Sequence, residues 1–411
     1  MLLNRLWIGL FVIAVVFGLI KLLFFGELLI FQELVNALFE SAKTAFEIAL
    51  FLTGALALWM GFMEIGNKGG AIKILSRLVS PLFTKLFPEV PKDHPATGAM
   101  MMNFSANMLG LDNAATPLGL EAMKELQELN PKKDTASNAQ IMFLVLNTSG
   151  LTIIPVSILA YRSTYGAVSP SEVFLPILFA TYFASLAGLI VVSIKQKINL
   201  LNKTVLLYLG SLTVFIVGLL ILLYKNPQWV EPVSAIGGNL ILFSIILLFI
   251  GLAVKNKINA YEVFVDGAKD GFKVAISIVP FLVAILVAIG VFRASGAMEM
   301  LFEGIKTALV YFGVVHTEFI EALPTAFMKP FSGSASRGMM IEAFETYGVD
   351  SFIGKMTATF QGSTDTTLYV LAVYFGSVGI KKTRYAVGAG LFADFVGIVA
   401  AILISYLFFA Q

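Results

Sequence analysis

The chain has 411 residues, 58% of them hydrophobic and 13% charged, with a net charge of +2 and a mean hydropathy of +0.87. Soluble domains carry about twice that share of charge, so the composition excludes a soluble globular protein, and without a basic tract it excludes a nucleic-acid-binding one. The absence of cysteine excludes disulfides, thiolate metal sites and iron–sulfur clusters, and two histidines, His94 and His316, are too few for an all-histidine zinc site.

The first apolar run begins after Arg5 and continues through Leu22-Leu23-Phe24-Phe25 without a small-residue cleavage site, which predicts an uncleaved first span. An amphipathic stretch from Leu28 to Ala45 follows, then an apolar helix over about Phe46 to Ile65 that ends at Gly66-Asn67-Lys68-Gly69-Gly70. Between Ala71 and Phe87 apolar residues recur at helical spacing among Lys73, Arg77 and Lys85, the pattern of a helix lying in the membrane interface. The next segment, Ala96 to about Leu129, carries too many polar residues for a single span. Two arms of about twelve residues would each reach about 18 Å, roughly halfway across the hydrocarbon core. It therefore reads as a re-entrant hairpin with its tip near Gly110 to Asn113.

Gln140 to Ala160 is a span broken by Asn147-Thr148-Ser149-Gly150 and by Pro155. Apolar spans follow at about Val173–Ile194, Val205–Tyr224 and Leu240–Val254. The order then repeats. Ala42-Lys43-Thr44-Ala45-Phe46 matches Ala268-Lys269-Asp270-Gly271-Phe272, and Gly70-Ala71-Ile72 meets Gly296-Ala297-Met298 at the same offset of 226. The second copy has its own hairpin, with a tip at Ser332-Gly333-Ser334. Its broken span runs from Phe352 to Val378, and a closing span covers Arg384 to Phe408. In that broken span Gln361-Gly362-Ser363-Thr364-Asp365-Thr366-Thr367 sets polar groups in mid-membrane, where lipid cannot solvate them. Five spans separate the starts of the copies, so the copies are inverted. Lysine and arginine concentrate on one side, which places the N-terminus in the cytoplasm and the C-terminus outside in a nine-span protein. Two inverted structural repeats, each with a re-entrant helical hairpin and a broken transmembrane helix, make a secondary-transporter scaffold.

Two long motifs carry a family resemblance. Asn103-Phe104-Ser105-Ala106-Asn107-Met108-Leu109-Gly110-Leu111-Asp112-Asn113, with Asn147-Thr148-Ser149-Gly150, resembles spore maturation protein A. Lys329-Pro330-Phe331-Ser332-Gly333-Ser334, with Gln361 to Thr367, resembles spore maturation protein B. Both belong to the nucleoside-recognition or gate-domain group, which is similar in organisation to concentrative nucleoside transporters. The resemblance implies a fusion of the two and a transport-like function. On this reading the chain divides into an N-terminal transmembrane helix at 1–27, a spore maturation A-like gate repeat at 28–200, linking helices at 201–254, and a spore maturation B-like gate repeat at 255–411.

If tips and breaks converge, four segments line the site. Asn103 and Asn107 share a helical face at i, i+4, and Asn113 and Thr116 open the second arm of the first hairpin. Asn147, Thr148 and Ser149 in the first break match Gln361, Gly362 and Ser363 in the second, where Thr364, Asp365 and Thr366 follow. Amides and hydroxyls both donate and accept, which suits a polar solute, but they also bind membrane hairpins together. Ser332, Ser334 and Arg337 at the second tip would attract an anionic group. Asp365 can hold a coupling ion, with an ion pair to Arg337 or Arg293 as the alternative; Asp394 in the closing span can act as a second relay carboxylate or pack against a hydroxyl.

Together these residues predict a multi-pass transporter or gated channel of the cell inner membrane for a small polar or anionic metabolite, nucleoside-like or dicarboxylate-like. The expectation includes no cofactor or bound metal, Na⁺ or H⁺ as coupling ion, and the solute, the lipid bilayer and a second copy of the chain as partners. A non-transporting membrane scaffold in spore maturation or envelope function is the alternative. An enzyme is not expected: no Gly-x-Gly-Asp, Gly-x-Ser-Gly or His-Glu-x-x-His motif occurs.

Overall fold

The computed structural model describes residues 2–91, 93–110, 112–314 and 316–410, and among them it is helical, with no strand. After α1 (Leu2–Phe24), the first half runs α2 (Ile30–Lys68), α3 (Ala71–Leu86), the paired α4 (Pro95–Met108) and α5 (Asp112–Leu129), the paired α6 (Asn138–Thr148) and α7 (Val156–Thr164), and α8 (Phe174–Gln196). Two links follow: α9 (Lys203–Val205), continuous through a π-helical turn at Leu206–Gly210 with α10 (Ser211–Lys225), and α11 (Val230–Lys255). The second half repeats the first as α12 (Ala260–Ala294), α13 (Ala297–Tyr311), the paired α14 (Leu323–Met328) and α15 (Gly333–Tyr347), the paired α16 (Phe352–Ser363) and α17 (Thr367–Ser377), and α18 (Ala386–Phe409).

Seven of the described helices are long and apolar enough to cross a membrane, which makes this an all-α multi-pass membrane protein. The seven are complemented by the two broken pairs, α6–α7 and α16–α17. One expected boundary is corrected. The amphipathic stretch, from Ile30 on, and the apolar helix after it form one 39-residue helix, α2, because nothing between Ile30 and Lys68 interrupts the backbone hydrogen bonding. Its counterpart α12 has 35 residues, so the two span about 58 and 52 Å, well beyond the hydrocarbon thickness. Each ends at a left-handed glycine, Gly70 (φ +88°) and Gly296 (φ +80°), a conformation that costs glycine nothing. These are the two glycines paired by the repeat.

The halves meet through helices that correspond in the repeat. Along α2 and α12, Gly61, Gly267 and Gly271 let the backbones touch: a Cβ on Gly271 would lie 2.7 Å from Leu56 O and from Ala57 Cα. Close approach of this kind drives helix association where lipid removes the hydrophobic incentive. Helices α8 and α18 pack likewise, with Gly188 against Val145 and Ala393.

Two loop clasps join the halves again, one at each end. The α5–α6 loop meets the α17–α18 loop: Lys381 and Lys382 donate backbone N–H bonds to Asp134 O (2.9 and 3.0 Å), and Arg384 Nη1 donates to Ala136 O (3.0 Å). The corresponding loops of the opposite halves, α15–α16 and α7–α8, make the second clasp. There Arg162, fully buried, donates to Val349 O (2.8 Å) and Asp350 Oδ1 (2.9 Å), while Val168 N donates to Asp350 Oδ2 (2.9 Å). This exchange of equivalent loops is what an inverted pair of repeats produces.

Candidate functional site

Each hairpin tip is tied to the break of its own half. Ile153 N donates to Met108 O (2.7 Å) in the first half, and Leu368 N to Pro330 O (2.9 Å) in the second. The first tip turns at Gly110 (φ +71°), where a Cβ would lie 2.5 Å from Ile154 O, so only glycine fits there. The two breaks then abut: Asp365 N donates to Thr148 O (2.8 Å) across the repeat boundary. Such backbone bonds satisfy the groups that an interrupted helix leaves open inside a membrane.

Tips and breaks line a cavity of about 1230 Å³ that is also bordered by Trp7 of α1, Met60 of α2 and Tyr369 and Tyr374 of α17. Trp7 Nε1 donates to Ala284 O (2.8 Å), which fastens α1 to α12 beside it. Of the residues singled out in the sequence, Asn107, Thr116, Asn147, Ser332, Ser334, Arg337, Gln361, Thr364, Asp365 and Thr366 line this space. Asn103, Thr148, Ser149 and Ser363 do not. Asn103 is fully buried and donates to Ala115 O (2.7 Å), joining the arms of the first hairpin. The hydroxyls of Thr148, Ser149 and Ser363 donate to carbonyls three residues back, a local bond that caps each half-helix. The side chain of Asn113 lies outside the described residues.

Within the cavity wall, Asn107 Nδ2 donates to Asn147 Oδ1 (2.7 Å), linking hairpin to break. Ser336 Oγ lies 2.6 Å from Gln361 Oε1 and does the same in the second half. Asp365 is exposed to the cavity, and its Oδ1 accepts from Thr366 N (2.6 Å). The expected alternative pairing of Asp365 with Arg293 is not made. Arg293 instead binds Glu299 (3.2 Å) and Glu342, because it sits at the end of α12 beside α13 and α15. Among the described residues, Lys329, Arg337 and Asp365 are the charged side chains of the cavity wall. Lys329 was not among the expected site residues, although a lysine at a mid-membrane tip is costly enough to mark a site. Asp394 lies outside the cavity lining: it is buried and accepts from Thr367 Oγ1 (2.9 Å).

Among the described residues His94, Glu125 and Glu128 bring potential ligand atoms within 4.8 Å of one another. His94 Nδ1, however, accepts from Ala96 N (3.2 Å) as the cap of α4, which leaves the ring proton on Nε2 and presents a donor, not a ligand, to the carboxylates.

The Gate family profile, described as nucleoside recognition, matches residues 49–165, which hold the first hairpin and the first break. Spore maturation protein A of Bacillus subtilis (strain 168) is 38% identical over 188 residues, covering 46% of this chain and 92% of that protein. Spore maturation protein B of the same organism is 48% identical over 155 residues, covering 38% of this chain and 85% of that protein. No solved structure matches. With relatives of these identities aligned over most of their own lengths, this chain belongs to the gate-domain family of membrane proteins that includes spore maturation proteins A and B.

Proposed function

We propose that the protein is a carrier or gated channel for a small polar or anionic solute, held in the cavity where the two tips and two breaks meet. The observation that carries this reading is the lining itself, to which both halves contribute amides and hydroxyls together with Asp365, Lys329 and Arg337. Binding sites for small molecules take this form, and the volume exceeds the usual few hundred Å³, leaving room for solute and water. The presence of Lys329 and Arg337 in the wall supports a dicarboxylate-like solute, and the family description supports a nucleoside-like one. In this reading the protein is not an enzyme, 28–200 and 255–411 act as the two gate repeats, and it sits in the cell inner membrane. The lysine and arginine distribution supports a cytoplasmic N-terminus and an external C-terminus.

Purified protein in liposomes would be tested for uptake of labelled nucleosides, dicarboxylates and amino acids, with and without Na⁺ and pH gradients. Saturable uptake of one class supports a carrier. Silence across the panel from folded protein would favour a scaffold, a reading supported by Asn103 and Asn107, whose amides bind the protein's own groups.

A further inference from the structure

We propose that Asp394 carries an exchangeable proton, held while α18 lies against the second break and released when the two separate. Asp394 is 2% exposed and sits between Gly390 and Gly397, four residues before it and three after. A Cβ on Gly390 would lie 2.7 Å from Thr367 Cγ2, and one on Gly397 would lie 2.8 Å from Thr364 Cγ2. Helix α18 is therefore flush against the break, with Asp394 facing it. Its Oδ1 accepts from Thr367 Oγ1 (2.9 Å), the Thr364 hydroxyl also acts on the carboxyl group, and its Oδ2 is buried without a hydrogen bond of ordinary geometry among the described residues. A carboxylate that two hydroxyls serve in such a place still carries a large desolvation penalty, which a proton on Oδ2 removes.

The charged groups that act on Asp394 are Lys329 and, more weakly and with the opposite sign, Asp365. From α6 and α8, Thr148 approaches α18 at Gly390 and Ala184 approaches it at Gly397, and both are neutral. The packing also selects the ligand. A proton needs no volume, whereas a metal cation needs a space lined by several oxygens, and Asp394 does not border the cavity.

The step balances simply. On separation the O–H bond of the carboxylic acid breaks, its electron pair stays on Oδ2, and the proton passes to an entering water; closure reverses this. Thr367 opens α17 two residues after Asp365, which is exposed in the cavity and donates its N–H to Thr148 O. Movement of the break therefore alters the cavity and the Asp394 contact together. Coupling of this proton to a solute rests on the transport reading, whereas the proton itself does not.

Infrared difference spectra of the full chain in liposomes, recorded across a pH titration, test the proposal. Wild type is expected to show the carbonyl band of a buried, protonated carboxylic acid at neutral pH, lost on alkalinisation. The band should vanish in Asp394→Asn, persist in Asp365→Asn and ignore replacement of Na⁺ by choline. In Thr367→Val, which removes a donor that stabilises the carboxylate, its midpoint should move to higher pH; this variant keeps the test valid should Asp394→Asn fail to fold. Absence of the band from folded wild type, its survival in Asp394→Asn, an unmoved midpoint in Thr367→Val, or its displacement by Na⁺ would each overturn the proposal. A band without solute uptake supports the proton site and counts against transport; uptake without a band does the opposite.

Discussion

Replacing Arg162 with alanine should destabilise the protein by about 3 kcal/mol. The guanidinium is fully buried and donates to Val349 O and Asp350 Oδ1 in the other half, with Ser169 O and Pro170 O also in reach at 3.3 Å. Removing one member of a buried pair typically costs about 3–5 kcal/mol, since the partner is left without its counter-charge. The Asp350 side chain is 34% exposed, so water can recover part of the loss, and the lower end of that range applies. A double-mutant cycle with Asp350→Ala should give a coupling of about 1–3 kcal/mol, as expected for residues in one hydrogen-bonded network. Thermal or denaturant unfolding of detergent-solubilised protein, followed by circular dichroism, measures both. Unchanged stability in Arg162→Ala, or zero coupling in the cycle, would refute the view that this clasp holds the halves together.

Gly110→Ala should destabilise the first tip by at least about 1–2 kcal/mol for the left-handed backbone alone, and the 2.5 Å approach to Ile154 O adds to it; a lowered unfolding midpoint is the readout. Asp365→Asn should fold normally, because an amide oxygen can still accept from Thr366 N, yet abolish coupled uptake in liposomes; full uptake would remove Asp365 from the mechanism. Asp134, in a loop outside the spans, is held below the ordinary carboxylate range by the Thr135 hydroxyl and then by Lys382. Its contribution is therefore present above that range and lost as pH falls through the lowered value, so acidification should lower the hydrogen-exchange protection factors of the Lys381 and Lys382 amides relative to that of Val168 in the Arg162 clasp. A chain cut in the loop after Lys255 and expressed as two pieces should regain solute binding only when both pieces are present, because residues of both halves line the cavity.

Helices α8, α10, α11 and α18 were legible because they are apolar on every side, and the breaks because Asn147 to Gly150 and Gln361 to Thr367 interrupt such runs. The hairpins followed from arm length. Two things were not legible. The length of α2 was hidden because its amphipathic half and apolar half carry different patterns, although nothing between them stops a helix. Which polar side chains face the cavity was also hidden. Asn103 and Asn107 share one helical face, yet Asn103 turns to Ala115 O and Asn107 to Asn147, a division set by how the second arm packs. That packing depends on distant residues: Gly119 touches Tyr374 so closely that a Cβ would lie 2.2 Å from its hydroxyl. Trp7 reaches the cavity from a span whose pattern speaks only of lipid.

The cavity wall is shared between the halves, and one polypeptide carries both. Their meeting is therefore intramolecular, governed by an effective concentration that the linking helices set and that dilution in the membrane does not change. Stoichiometry is fixed at one to one by translation. No excess of either half can accumulate with its break unpaired and Asp365 N or Thr148 O left bare in the bilayer.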